Sequence, residues 1–245
     1  MLFNSSKCYK MSVCRSRSPG VKDYTLYNQT LVAVQQHPYL GVLLSSDLRW
    51  NSHVDKIAKK GNSSLAFVKR NLYACSEETK QAAYVSLISR CVRPHLEYAT
   101  AVWDPYRQNQ VEKLEAIQSR AVRFMKHDYS YNTSMSKLKK SQSLGLLSER
   151  RKSHRLQIFY KSVYNNIVLP IPPYYQLSIR ETRNYSTNSC IQPSVHHDYY
   201  KYSFFPRTIR DWNCLLPETR SLNYSAFCSS KFILNYMFYL FIYFY

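Results

Sequence analysis

Apolar and polar residues follow two different periods along the chain, and the change falls near Trp50. Before Trp50, short apolar runs are separated by turn residues, a pattern typical of β-strands and hairpins. After it, apolar residues recur every three or four positions, which is the spacing of an amphipathic α-helix. The pattern predicts an α+β fold that is mainly α. A short antiparallel β region precedes a helical bundle, and an irregular C-terminal extension follows.

The β region occupies roughly the first 50 residues. Ser18-Pro19-Gly20 is a strong turn signal that separates its first two apolar runs. We expect a strand over residues 7–15, a hairpin over residues 23–34 with its turn around Asn28-Gln29, a strand over residues 39–44, and a turn at Ser45-Ser46-Asp47.

Four helices are predicted after His53, each with one apolar face. The third spans about Gln108 to His127, and Ser76 and Ser148 are the predicted N-caps of the second and fourth. The four faces are Val54, Ile57, Ala58, Leu65, Val68 and Leu72; then Tyr84, Leu87, Ile88 and Cys91; then Val111, Leu114, Ile117, Ala121 and Phe124; then Leu156, Phe159, Tyr160, Val163 and Ile167.

The pattern dissolves after a proline-rich stretch that ends at Pro173. Residues 174–200 are rich in Ser, Asn, Thr and Tyr and are predicted to form a long loop or linker. A short helix is expected over residues 205–214. The chain is therefore divided into residues 1–50, 51–169, 170–231 and an apolar aromatic tail, 232–245.

The chain is strongly basic, with 34 Lys and Arg against 15 Asp and Glu, a formal net charge of +19. Between Arg49 and Lys161 there are 22 basic and 9 acidic residues, so most of the surplus lies in the helical part. Such a balance favours a polyanionic partner, either nucleic acid or an anionic membrane surface. For any single lysine, a solvated helix face is the simpler explanation.

Twelve basic residues lie off the apolar helix faces and are candidates for phosphate contacts. The last four of them lie in the first turns of the fourth helix, against its dipole, where an external anion would offset their charge. The candidates are Lys56, Lys59, Lys60, Lys69, Arg70, Lys113, Arg120, Arg123, Arg150, Arg151, Lys152 and Arg155.

The sequence predicts neither a metal site nor a catalytic residue. Its seven cysteines form no C-x-x-C pair, and His196-His197 lacks further ligands at metal-binding spacing. A G-x-S-x-G nucleophile elbow and clustered acidic residues are missing. We therefore expect no bound cofactor and no small-molecule substrate.

The two ends of the sequence bear on localisation. The N-terminal residues include no apolar core of a signal peptide, so an intracellular protein of the nucleus or cytoplasm is expected, not a secreted one. The tail, residues 232–245, is shorter than the ~20 apolar residues of a spanning helix. It is interpreted as read-through into A/T-rich DNA, with a buried terminal element or a weak membrane anchor as alternatives.

Five motifs occur in an order that resembles the C-terminal part of a reverse transcriptase. The nearest likeness is to non-LTR (LINE-type, jockey- and CR1-like) retrotransposons, and it covers roughly residues 3–225. Each motif alone is weak, and the shared order carries the resemblance. The motifs are FNSSKC from Phe3, YLGVLLSSDLRWNSHV from Tyr39, YVSLISRCVRPHLEYATAVWDP from Tyr84, LLSERRKSHRLQIFYK from Leu146, and YKYSFFPRTIRDWN from Tyr200.

The resemblance implies a role for each part. Residues 1–50 would be the end of the palm, and residues 51–169 the thumb that clasps primer and template. Tyr39, Leu40, Gly41 and Val42 would form a primer-grip-like hairpin, and Lys7 would lie near the leaving pyrophosphate. The intact family enzyme uses Mg²⁺ held by a Y-x-D-D turn and an earlier aspartate, but this sequence contains no Asp-Asp pair.

The sequence therefore predicts a fragment of an RNA-directed DNA polymerase, beginning just after the catalytic turn and inactive alone. Its expected partners are RNA, DNA or their hybrid, bound without sequence preference. One alternative is a degenerate retroelement relic with no selected function. Another is a basic peripheral membrane protein that uses the helices and the aromatic tail.

Overall fold

The computed structural model describes residues 4–14, 22–83, 93–141, 144–164, 167, 174–178 and 188–230. The chain divides into two compact units, Met1–Ile57 and Ala58–Tyr245. Over the described residues the fold is α+β and mainly helical, with three two-stranded sheets. The predicted fold class is confirmed at this level.

The described part of the first unit contains six short strands, after a 3₁₀ turn at Ser5–Lys7. β1 pairs with β4 in parallel, whereas β2 with β3 and β5 with β6 are antiparallel. The expectation of a wholly antiparallel region is therefore wrong for β1, which is also much shorter than the predicted strand over 7–15. The strands are β1 (Tyr9–Lys10), β2 (Thr25–Leu26), β3 (Gln29–Thr30), β4 (Val32–Ala33), β5 (Gln36–Tyr39) and β6 (Val42–Ser45).

Two tight hairpins are closed by residues with positive φ. The predicted single strand over residues 39–44 is interrupted by Leu40 (φ 45°) and Gly41 (φ 84°), which form the turn between β5 and β6. Two positive φ values match the twist of a hairpin, and glycine adopts them at little cost. The other hairpin turns at Tyr27-Asn28, one residue before the predicted position. The turn after β6 is confirmed by the Leu48 N–H bond to the Ser45 carbonyl.

The buried side chain of His53 holds the β5–β6 hairpin in place. The Leu43 N–H donates to Nδ1 of His53 at 3.1 Å, and His53 is only 2% exposed. Burial lowers the pKa of His53 to about 4, and the charge of Lys56 acts in the same direction. His53 is therefore a neutral acceptor at neutral pH.

Helices account for most of the second unit, and α1 begins in the first unit and continues into it. They are α1 (Asn51–Asn71), α2 (Glu77–Ala83), α3 (Arg93–Glu97), α4 (Thr100–Trp103), α5 (Gln108–Lys126), α6 (Met135–Ser141), α7 (Leu147–Val163), α8 (Asp198–Lys201), α9 (Phe204–Asn213), α10 (Pro217–Arg220) and α11 (Tyr224–Ser229). The short helix predicted over residues 205–214 is confirmed as α9, displaced by one residue.

Most of the predicted apolar faces are buried. Leu65 and Val68 of α1, and Leu114 and Ile117 of α5, are at most 3% exposed. The inward position predicted for Ile167 is wrong, because α7 ends at Val163 and Ile167 is 39% exposed. The face of the predicted second helix, formed by Tyr84, Leu87, Ile88 and Cys91, lies outside the described residues.

One of the two predicted N-caps is correct. Ser76 Oγ accepts the N–H of Thr79 at 3.2 Å, as expected of a cap on α2. Ser148 is not a cap, because α7 begins at Leu147. Its N–H donates instead to Glu115 Oε1 of α5 at 3.1 Å, so a carboxylate from a neighbouring helix takes over the capping.

A glycine allows α1 to lie close to its neighbours. A Cβ atom placed on Gly61 would come within 3.1 Å of Leu96 Cδ2 and 3.4 Å of Ile117 Cδ1. Close approach of the backbone at Gly61 thus positions the second half of α1 beside α5, and with it the basic residues of α1.

A hydrophobic cluster joins α7 to the region that follows the prolines. Its members are Leu156, Phe159, Tyr160, Cys190, Ile209, Trp212, Leu215 and Phe227. The Asn213 side chain accepts from the Cys190 N–H and donates to the Cys190 carbonyl, at 3.0 and 2.7 Å. Leu177 and Cys190 also form an antiparallel bridge. Part of the predicted loop over residues 174–200 is therefore fixed to the helices.

The apolar tail, residues 232–245, lies outside the described residues. None of the described helices combines the length and the apolar character needed to cross a bilayer.

Candidate nucleic-acid interface

Asp104, at the end of α4, is the centre of a buried ion-pair network. Its Oδ1 accepts from Arg151 Nε at 2.7 Å, and its Oδ2 accepts from Arg155 Nε at 3.0 Å. Arg207 of α9 lies 3.2 Å from the same Oδ2 and donates to the Asp104 carbonyl at 2.9 Å. Arg155 continues to Asp211 Oδ2 at 3.0 Å. We call these five residues the Asp104 network.

The network contains three arginines and only two carboxylates, and it is well shielded from water. Arg151 is 0% exposed, and the side chain of Asp104 is 5% exposed. Burial lowers the pKa of Arg207, and Asp104 acts in the opposite direction. Buried charges are tolerated only when they are paired and hydrogen-bonded, so the network locks α4, α7 and α9 into one arrangement.

Three of the four basic residues expected to attract an external anion at the start of α7 have carboxylate partners within the fold. Arg151 and Arg155 are bound to Asp104, and Arg150 donates twice to the Glu97 carboxylate, with one bond at 2.9 Å. Lys152 alone is well exposed, 3.6 Å from Asp211. The internal carboxylates come from distant parts of the sequence and offset the unfavourable dipole.

Three of the five motifs meet in this network. Asp104 belongs to EYATAVWDP, Arg151 and Arg155 to SERRKSHR, and Arg207 and Asp211 to FFPRTIRDWN. Their charged residues therefore have a structural role in this chain. The two N-terminal motifs lie elsewhere, and Phe3 falls outside the described residues.

A second group of cations lies over or near the ring of Phe124 on α5, and no carboxylate in the described part of the chain pairs with it. Lys69 Nζ of α1 lies 5.8 Å from the ring centroid, and Lys80 Nζ of α2 lies 5.5 Å from it. Arg120, one turn before Phe124, is close enough to lower the pKa of Lys69, although partial burial is the larger cause. We call Lys69, Lys80 and Arg120 the Phe124 cation cluster.

The Phe124 cation cluster differs from the network in its partners. Among the described residues none of its three cations forms an ion pair with a carboxylate. Arg120 donates only to the Ala116 carbonyl of its own helix. The nearby Glu77 is engaged by Lys126 at 2.6 Å, an ion pair that ties α2 to α5. Like charges placed together repel, and an anion such as phosphate would relieve that repulsion.

The remaining sequence candidates on α1 and α5 are exposed or half-buried. Lys59, Lys60, Arg70 and Lys113 are exposed, and Lys56 is half-buried. Arg123 is half-buried and donates to the Ser130 carbonyl at 2.9 Å. The predicted list missed Lys80, which follows Glu77 and Glu78 in the sequence and reads there as a balanced charge.

The palm-like candidates belong to the first unit. Tyr39 and Leu40 are 61% and 75% exposed at the tip of the β5–β6 hairpin, whereas Val42 is 6% exposed. Gly41 supplies the turn, and Lys7 is an exposed residue of the 3₁₀ turn. The hairpin therefore presents two apolar side chains to solvent.

Over the described ranges, no three His, Cys, Asp or Glu side chains converge in a way that could hold a metal ion.

Comparisons with known proteins assign no family to this chain. A scan against protein-family models finds no match, and searches of curated proteins and of solved structures find no similar protein.

Proposed function

We propose that this chain is part of an RNA-directed DNA polymerase of a non-LTR retrotransposon. In this proposal it binds primer–template RNA, DNA or their hybrid without sequence preference. Residues 1–50 correspond to the end of the palm and the helices after them to the thumb. The binding surface is formed by the second half of α1, by α2 and by α5.

The observation that carries the proposal is the Phe124 cation cluster. Three cations from three helices converge, and no described carboxylate pairs with them. Lys and Arg that neutralise phosphates release condensed counterions, which gives affinity for any sequence. Exposed Lys59, Lys60, Arg70 and Lys113 extend the positive charge along α1 and α5.

Binding, without catalysis, is the proposed role of this chain alone. Polymerases hold two Mg²⁺ ions between closely placed carboxylates. The described residues do not fit such a site, because Asp104 and Asp211, which share Arg155, are engaged by arginines. No catalytic step is therefore assigned to the chain.

The test is a salt series of binding affinities measured by fluorescence anisotropy, with labelled single-stranded, duplex and hybrid oligonucleotides. We expect the logarithm of the affinity to fall linearly with the logarithm of the salt concentration for all three. The triple variant Lys69→Gln, Lys80→Gln, Arg120→Gln should reduce the slope by about 2 to 3.

Lys201→Gln is the matched control, because it removes an exposed cation of α8 that is not among the candidate phosphate contacts. Its salt slope should equal that of the parent chain. Circular dichroism melting of each variant establishes that it is folded. Binding that is absent, insensitive to salt, or unchanged in the triple variant would overturn the proposal.

A further inference from the structure

The loop that follows α5 presents two tyrosines to solvent. Tyr131 is 98% exposed and Tyr129 is 57% exposed. An aromatic side chain left almost wholly in water contributes little to folding, since its apolar area is not buried. The loop leaves α5 next to Arg123, one turn after Arg120 of the Phe124 cation cluster.

Hydrogen bonds give this loop a defined shape. His127 ends α5 in the left-handed region, φ 50°, and the next residue, Asp128, donates its N–H to the Arg123 carbonyl at 3.2 Å. These are features of a Schellman C-cap. Asp128 Oδ1 accepts the Ser130 N–H at 2.9 Å, and the Arg123 guanidinium donates to the Ser130 carbonyl at 2.9 Å.

The bonds hold the backbone on both sides of the two rings. Bonding to Thr133 and to the Ser130 N–H lowers the pKa of Asp128, as expected for a carboxylate that accepts hydrogen bonds in its charged form. The Tyr129 ring also meets His127 edge-on, with centroids 5.8 Å apart. Tyr131 is thus held out from an ordered loop.

Exposed aromatic rings beside a basic surface suit one partner above others. Unpaired bases stack on aromatic rings, whereas the bases of a duplex are already stacked on each other and lie inside it. Arg120 and Lys69 would be the groups that contact the phosphates of the same strand. Ring and cations together match a single strand that runs from α5 onto the loop.

We infer that Tyr131, assisted by Tyr129, is a stacking site for an unpaired base of single-stranded RNA or DNA. The inference rests on the proposed nucleic-acid binding and adds the strandedness of the partner. The Phe124 cation cluster holds the backbone of either form, and the tyrosine loop favours the single strand.

The experiment compares Tyr131→Ala with the parent chain on two labelled probes, an oligothymidylate of about 20 nucleotides and a mixed-sequence duplex of the same length. We expect single-strand affinity to fall about 5-fold or more, with duplex affinity unchanged. The salt slope should stay the same, because no cation is removed. Tyr131→Trp should restore single-strand affinity, since it keeps a ring.

Tyr200→Ala is the matched control, because it removes a tyrosine that is 45% exposed on α8. It should leave both affinities unchanged. The inference is overturned if Tyr131→Ala binds the single strand as the parent does, or weakens both probes equally. If the parent chain itself binds neither probe, the proposed function fails as well, an outcome distinct from failure of the stacking site alone.

Discussion

The Asp104 network and the Phe124 cation cluster contain the same kinds of residue in opposite circumstances. In the network, three arginines surround two carboxylates and are shielded from water. In the cluster, two lysines lie over an aromatic ring, an arginine lies near one of them, and no described carboxylate pairs with the three. Cations of the first kind are paired within the fold. Those of the second kind differ in exposure, because Arg120 is exposed, Lys69 is half-buried and Lys80 is only 7% exposed.

This difference divides the basic surplus of the chain by role. The motif SERRKSHR has the densest run of positive charge, yet all three of its arginines are paired internally. The less conspicuous Lys69, Lys80 and Arg120 come together only through the packing of three helices. The density of charge in the sequence is therefore a poor guide to which cations lack an internal carboxylate partner.

The largest expected effect is from Asp104→Asn, which keeps the shape and removes the shared charge. Arg151, Arg155 and Arg207 would lose their common partner in a buried site. We expect the free energy of unfolding to fall by about 3–5 kcal/mol. Urea unfolding followed by the fluorescence of the buried Trp103 and Trp212 measures it. Asp198→Asn, at an exposed position, should change it by less than about 0.5 kcal/mol.

Arg155→Gln breaks the link between the two carboxylates. The variant leaves Asp211 with only the exposed Lys152, while Asp104 keeps Arg151 and Arg207. We expect a loss of about 2–3 kcal/mol in the free energy of unfolding, smaller than for Asp104→Asn. An equal or greater loss in the same urea experiment would mean that Asp104 is not the centre of the network.

His53 shows a third way to bury a basic group, which is to keep it neutral. Its folded pKa, about 4, lies below the usual 6.5, so the unfolded chain takes up the proton first. The stability contributed by neutral His53 is fully present above about pH 6.5 and is lost as the pH falls towards about 4. An NMR titration of the His53 ring should have its midpoint near 4.

The variant His53→Asn is the control for that titration. It cannot take up a proton in this range, so its stability should vary less between about pH 7 and about pH 4.5 than that of the parent chain. A midpoint near the usual value for histidine would show that the imidazole is not buried against the Leu43 N–H.

The smallest effect on stability is expected from Lys69→Gln in the Phe124 cation cluster. Removing one of three neighbouring like charges should change the free energy of unfolding by less than about 0.5 kcal/mol, or raise it slightly. The same variant should weaken nucleic-acid binding. A large loss of stability in urea unfolding would place Lys69 among the structural cations, with Arg155.

The sequence alone predicted the inward faces of the helices, but it did not predict which carboxylates pair with the arginines or cap the helices. The spacing of Leu114, Ile117 and Phe124 identifies the inward side of α5, because helical periodicity is a local property. The pairing of Arg151 with Asp104 joins residues 47 positions apart, and no local pattern contains it. Ser148 resembles a cap but is displaced by Glu115, which reaches it only in the folded chain.

The β5–β6 hairpin shows that sequence prediction can also fail within one short segment. The run from Tyr39 to Leu44 is apolar throughout, and apolarity alone predicts one strand. Gly41 was the signal that the run could turn, since it accepts the positive φ that the hairpin needs. Lys69 and Arg120 of the Phe124 cation cluster were candidates from the sequence, but no local pattern indicated that they meet each other and Lys80, because the three come from α1, α5 and α2.

Two hydrogen bonds between the Asn213 side chain and the Cys190 backbone hold Cys190 in place and make its reactivity a measure of local opening. Burial raises the pKa of the Cys190 thiol to about 12, so almost none of it is the reactive thiolate at neutral pH. Cys214, nearby in sequence, is exposed. An alkylating reagent should therefore modify Cys214 quickly and Cys190 slowly, because Cys190 reacts only when the hydrogen bonds to Asn213 open. The difference between the two reaction rates reports how often this opening occurs.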